Sequence, residues 1–133
     1  MPRIPRPIPH RGAPEVSALA ERFPEWFALG AVAVPPGWIA LVDRLFDELA
    51  ATLDAAERAH FQVAAVRERD GRLSVETYAA LPAADPVIER AADAALRICQ
   101  SCGAPGKHRR FAGWSATLCA DCRKRLGKIR IGG

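Results

Sequence analysis

No stretch of this chain is apolar for long enough to cross a bilayer. The longest run, Phe27 to Pro36, is broken by Gly30 and closed by two prolines, well short of the ~20 residues a spanning helix needs. Arginines near the amino end are followed by no apolar stretch of the signal-peptide kind, so a cytoplasmic protein is expected. Histidine is scarce and stands outside any motif. His10, His60 and His108 are isolated, and Glu57-Arg58-Ala59-His60 lacks the second histidine of a zinc-hydrolase helix. Ser101 and Ser115 sit in no nucleophile elbow, and no glycine loop of the phosphate-cradling type occurs. With these constellations missing, the chain is not expected to be an enzyme.

Half of the 133 residues are hydrophobic and 26% are charged, which suits one folded domain with a small satellite. Five of the eleven prolines fall in the first fourteen residues. Charge is segregated. Residues 1–14 carry Arg3, Arg6 and Arg11; residues 15–98 hold fourteen acidic and eight basic side chains; residues 99–133 hold eight basic ones against Asp121. The formal +4 therefore describes two cationic ends flanking an acidic body.

The proline–arginine start, residues 1–14, reads as a disordered, polyproline-like tail, with a peptide ligand or phosphate-touching arm as alternatives. Glu15 to Leu29 reads as a short helix that Pro24 limits. Trp38, Leu41, Val42, Leu45, Phe46, Leu49 and Leu53 recur at three- and four-residue spacing and predict an amphipathic helix whose stripe is a core face rather than a partner groove. Phe61–Arg69 and Arg72–Ala80 flank Asp70-Gly71, the pair that a type I′ hairpin favours. Alternation puts Phe61, Val63 and Ala65 on one side of the first strand. Asp85-Pro86 suggests a capped helix start, with Ile88, Ala91, Ala92, Ala95 and Ile98 as its apolar face leading straight into Cys99.

All four cysteines stand in two pairs, Cys99-x2-Cys102 and Cys119-x2-Cys122. Two-residue spacing turns both sulfurs of a pair toward one ion, and two such pairs close a tetrahedral set. A structural Zn2+ site at Cys99, Cys102, Cys119 and Cys122 is the expectation. Disulfides are disfavoured in a cytosolic chain, a thioredoxin-like pair needs one CxxC on a βαβ frame, and iron–sulfur clusters usually use other spacing. Between Cys99 and Leu126 the large apolar residues are Phe111, Trp114, Leu118 and Leu126, too few to offset the ordering of that segment. The metal is thus expected to fold the module.

Basic residues surround this motif. Arg109 and Arg110, then Arg123, Lys124, Arg125 and Lys128, interleave with Phe111 and Trp114, a pattern that suits nucleic acid by phosphate contact and base stacking. The competing reading is that the aromatics cover the metal and the cations balance its thiolates. His108 is taken as exposed, since four cysteines already complete a ligand set.

CQSCGAPGKHRRFAGWSATLCADC resembles the C-terminal zinc knuckles of an uncharacterised group of small phage and proteobacterial proteins. That group pairs a Trp-led amphipathic helix and a hairpin with a helix entering CxxCGAPG, a likeness covering residues 37–122. The chain departs from it in its long start and at its last pair, where a Cys–His ending also occurs. The resemblance implies no activity.

The expected architecture is α+β. A small helical body with a β-hairpin (15–98) precedes a zinc ribbon or treble-clef-like module (99–126), and 127–133 form a basic flexible tail. The function expected is that of an accessory or regulatory factor binding nucleic acid through the basic zinc end. The alternative is a protein-binding inhibitor or immunity protein, whose acidic body masks a toxin or other basic partner. Oligomeric state is open.

Overall fold

The computed structural model describes residues 14–28 and 31–132. Arg3, Arg6 and Arg11 of the proline-rich start lie outside them. The architecture is α+β, with five α-helices and two small sheets among the described residues. None of these helices is long and apolar enough to cross a membrane.

The body is built around helix α2 (Ile39–Thr52), whose Leu41, Val42, Leu45, Phe46 and Leu49 are buried as one face. Helix α1 (Pro14–Arg22) stops earlier than the expected Leu29. Pro24 disfavours the helical region for Phe23 before it, and the chain turns there so that Phe23, Trp26 and Phe27 enter the core. Trp26 stacks on Phe23 at 4.8 Å, meets Phe61 edge-on at 4.9 Å, and donates its indole N–H to the Arg58 carbonyl at 3.0 Å. That carbonyl belongs to a short helix, α3 (Ala55–His60), closed by a capping box between Asp54 and Glu57.

Strand β1 (Ala31–Ala33) pairs in parallel with β2 (Val63–Arg69), which pairs antiparallel with β3 (Arg72–Thr77). The Asp70-Gly71 turn has φ of 50° and 81°, as a type I′ turn requires. The expected alternation holds for Phe61 and Val63, both buried, and fails at Ala65. A register shift between Val63 and Ala65 moves the buried positions to Val66 and Glu68, leaving Ala65 half-buried. Helix α4 (Asp85–Ala95) buries Val87, Ala91, Ala92 and Ala95 against α2 and β3. Asp85 is not its side-chain cap. It sits inside the first turn beside Pro86, where a carboxylate favours the helix dipole. Nor does the helix reach Cys99, because Leu96 and Arg97 form a turn and Ile98 bridges to Pro105.

Residues after Ile98 form a second sheet, β4 (Lys107–Phe111) paired antiparallel with β5 (Trp114–Leu118), followed by helix α5 (Ala120–Gly132). The backbone of 127–132, read from sequence as a flexible tail, continues this helix. Two apolar clusters result, one in the body and one around Trp114, Leu118 and Leu126.

Polar contacts join them. The Trp38 indole donates to the Ile98 carbonyl at 2.8 Å, and the Gly37 amide donates to the Gln100 carbonyl at 2.9 Å. On the other side the Asp70-Gly71 turn rests on β4 and β5. The buried Thr117 hydroxyl donates to the Gly71 carbonyl at 2.7 Å, and His108 Nε2 lies 2.8 Å from the Asp70 carbonyl. His108 is exposed, as expected, yet it also ties the two parts together.

Two glycines test this seating. Gly71 and Gly113 share a φ of +81°, so alanine at either carries the same left-handed strain, about 1–2 kcal/mol. A Cβ at Gly71 would also lie 2.7 Å from Ala116 Cα, whereas one at Gly113 meets nothing within 4 Å. Gly71→Ala is therefore expected to lower stability well beyond Gly113→Ala in denaturant melts. Equal losses would mean that the turn is not pressed onto β5.

Candidate metal centre

The first cysteine pair forms a tight knuckle. Gly103, at φ +85°, donates its amide to the Cys99 carbonyl at 2.9 Å, and the Cys99 amide donates to Ala104 at 2.7 Å. An L side chain resists that φ, which explains glycine after the pair. Gln100 within the knuckle is buried and satisfied. Its amide donates to the Thr117 carbonyl, and its side-chain oxygen accepts from the Thr117 amide, each at 2.9 Å. The knuckle is thereby fixed to β5.

The second pair follows directly from β5. Cys119 immediately precedes α5 and takes the place of a capping side chain, its sulfur accepting the Cys122 amide at 3.4 Å. Knuckle, hairpin and helix follow one another in treble-clef-like order.

All four Sγ atoms lie within 4.8 Å of one another, with Cys102 and Cys119 at 3.6 Å. Four thiolates on one tetrahedral ion, with metal–sulfur bonds of about 2.3 Å, stand about 3.8 Å apart. A disulfide would need about 2.05 Å, and all four cysteines are free. The cluster therefore fits a metal ion. Cys99 and Cys122 are buried while Cys102 is exposed. The Cys122 amide lowers the Cys119 thiol to about 7, whereas burial pushes Cys122 up to about 12. Arg125 reaches to 3.7 Å from Cys122 Sγ, placing a cation beside the sulfurs.

The basic residues divide into groups. Arg109 and Arg110 of β4 and Arg123 of α5 line one open groove of about 600 Å³, together with His108, Phe111 and Leu126. An adjoining recess of about 320 Å³ shares Arg109 and Arg123 and adds Lys107. Lys124 is exposed but lines neither recess. Arg125 faces the cysteines instead, and the Lys128 side chain lies outside the described residues. Trp114, expected as a base-stacking residue, is only 6% exposed and stacks on Phe111 at 4.7 Å. It is core, because it forms the last β4–β5 pair and its ring is taken up by Phe111.

Among the described residues no carboxylate pairs with Lys107, Arg109, Arg110 or Arg123. The body's Arg22, Arg67, Arg69, Arg72 and Arg90 all have such partners. Sequence reasoning gave no part to Gly37 and Thr117, which hold the knuckle and hairpin in place. Their contacts are long-range and carry no local signal. No family model, curated protein or solved structure matches the chain.

Each thiol must lose its proton to bind an ion, so metal uptake is expected to release protons and to weaken as pH falls. Titration in weak buffer measures both. Stripping the ion, or Cys119→Ser, is expected to raise hydrogen exchange across 99–126 while the body keeps its helical circular dichroism, since its apolar cluster is separate. Loss of all structure would show instead that one core spans both parts.

Proposed function

We propose that this protein is a non-enzymatic, cytoplasmic accessory or regulatory factor, in which a four-cysteine zinc module binds nucleic acid through its basic face. An all-thiolate set of four suits Zn2+ and leaves no open coordination position for water or substrate, so the ion is structural. The observation that carries the reading is the groove between β4 and α5. It gathers Arg109, Arg110 and Arg123 from positions that are scattered in sequence and unpaired with any described carboxylate.

Cations without partners have charge to spend on phosphates. Each phosphate they neutralise releases about one counterion, so affinity falls steeply with salt and depends little on sequence. Five of the body's eight arginines, by contrast, pair with described carboxylates such as Glu76, Glu89 and Asp93. Its net negative charge repels nucleic acid and favours approach from the module end.

Elemental analysis is expected to find about one zinc per chain. Labelled oligonucleotide is expected to bind at low salt, and Arg109→Ala with Arg110→Ala to reduce the slope of log affinity against log salt by about two without loss of zinc. If no nucleic acid binds at low salt, where such contacts are strongest, the cations only balance the thiolates. The protein-masking role then takes the place of this one.

A further inference from the structure

We propose that the groove between β4 and α5 takes single-stranded nucleic acid, holding one unstacked base against Phe111. The inference rests on the nucleic-acid reading and specifies its ligand. Phe111 is half-buried, lines the groove, and is backed by Trp114, whose ring lies 4.7 Å away with an interplanar angle of 22°. A ring supported from behind and bordering a recess is a stacking platform, provided that the base offered to it has a free face. In a duplex both faces of an internal base are covered by its neighbours. Only a single strand, or an opened one, can present such a face.

The size and order of the recess agree. About 600 Å³ is room for a group of small-ligand dimensions, whereas a duplex could touch only its rim. Lys107, Arg109 and Phe111 alternate along β4 and so share one side of the strand. The smaller recess, with Lys107, Arg109 and Arg123, adjoins the larger one through the last two of these side chains. A strand lying along β4 would thus meet cations first and then the ring, with Arg110 and Arg123 at the groove wall for the flanking phosphates. Backbone charge contact joined to an aromatic face is how sequence-tolerant single-strand binding is achieved.

The test uses the full-length, metal-loaded chain with fluorescein-labelled oligothymidine, alone and annealed to its complement, at one low ionic strength. The single strand is expected to bind at least about tenfold more tightly than the duplex. Phe111→Leu retains an apolar partner for Trp114 but removes the aromatic face. It is expected to weaken single-strand binding about five- to hundred-fold and leave duplex binding unchanged, with zinc content and circular dichroism as the check on folding. Duplex binding as tight as single-strand binding, or no effect of Phe111→Leu on the single strand, would overturn this inference and leave nucleic-acid binding standing. Failure of both probes to bind would remove the nucleic-acid reading itself. Should Phe111→Leu not fold, the comparison of the two probes on the unsubstituted chain decides alone.

Discussion

The missing side chain at Gly37 is the constraint on which the rest of the structure depends. A Cβ there would lie 2.1 Å from the Cys99 carbonyl oxygen and 2.7 Å from the Gly103 amide nitrogen. The backbone of the body is therefore laid directly on the first knuckle, with Trp38 beside it anchored to Ile98. Once the knuckle is fixed, Gln100 determines where β5 runs, and β5 delivers Cys119 to the sulfur of Cys102. The metal site is thus assembled from the body outward. A second support, the Asp70-Gly71 turn under Thr117, holds the same hairpin from the other side. Burial of Gln100 and Thr117 is tolerated because their polar groups find partners, as buried polar groups must.

Charge is distributed on a different principle. The ion pairs of the body, Arg72 with Glu89 and Asp93 among them, are between exposed groups, and such pairs contribute about 0–1 kcal/mol each to stability. Their consequence is the field they leave. The body keeps a net negative charge even though Arg22, Arg67, Arg69, Arg72 and Arg90 pair with carboxylates, whereas Lys107, Arg109, Arg110 and Arg123 gather positive charge at the other end with no described carboxylate in ion-pair contact. Arg125, which reaches toward Cys122, belongs to the thiolates instead. Only part of the basic count is therefore turned away from the sulfurs.

The legible features were those encoded over a few residues. The Asp70-Gly71 turn, the apolar stripe of α2 and the paired cysteines all declare themselves through spacing, and each stands where its spacing implies. Features that depend on a distant partner were hidden. β1 is three residues of a short apolar run that become a strand only because β2 lies alongside. Thr117 and Gly71 meet across 46 positions, and neither residue type advertises the contact. The capping box of Asp54 and Glu57 is a local signal, but it opens a helix with no buried residue, so no apolar periodicity follows to mark it. Trp114 was open to two readings because an aromatic in a cationic loop can shield or stack. Pairing with Phe111 at the end of the β4–β5 ladder places its ring in the small apolar cluster of the module.

The four-cysteine cluster and the basic groove occupy separate places in the module. Arg123 follows Cys122 by one residue, on a helix whose first turn is tied to the Cys119 sulfur and carbonyl. Arg109 lies on β4, held in register by Ala116 of β5, the strand that ends at Leu118 beside Cys119. Neither arginine touches the sulfurs in the hydrogen-bond network; Arg123 is placed by the helix that the second pair opens, and Arg109 by a hairpin seated on Gln100 and the Asp70-Gly71 turn. An ion bound by all four sulfurs would tie the first turn of α5 to the knuckle of Cys99 and Cys102. Such an ion would act through the fold and not as a reacting centre, which is what a coordination sphere closed to water permits.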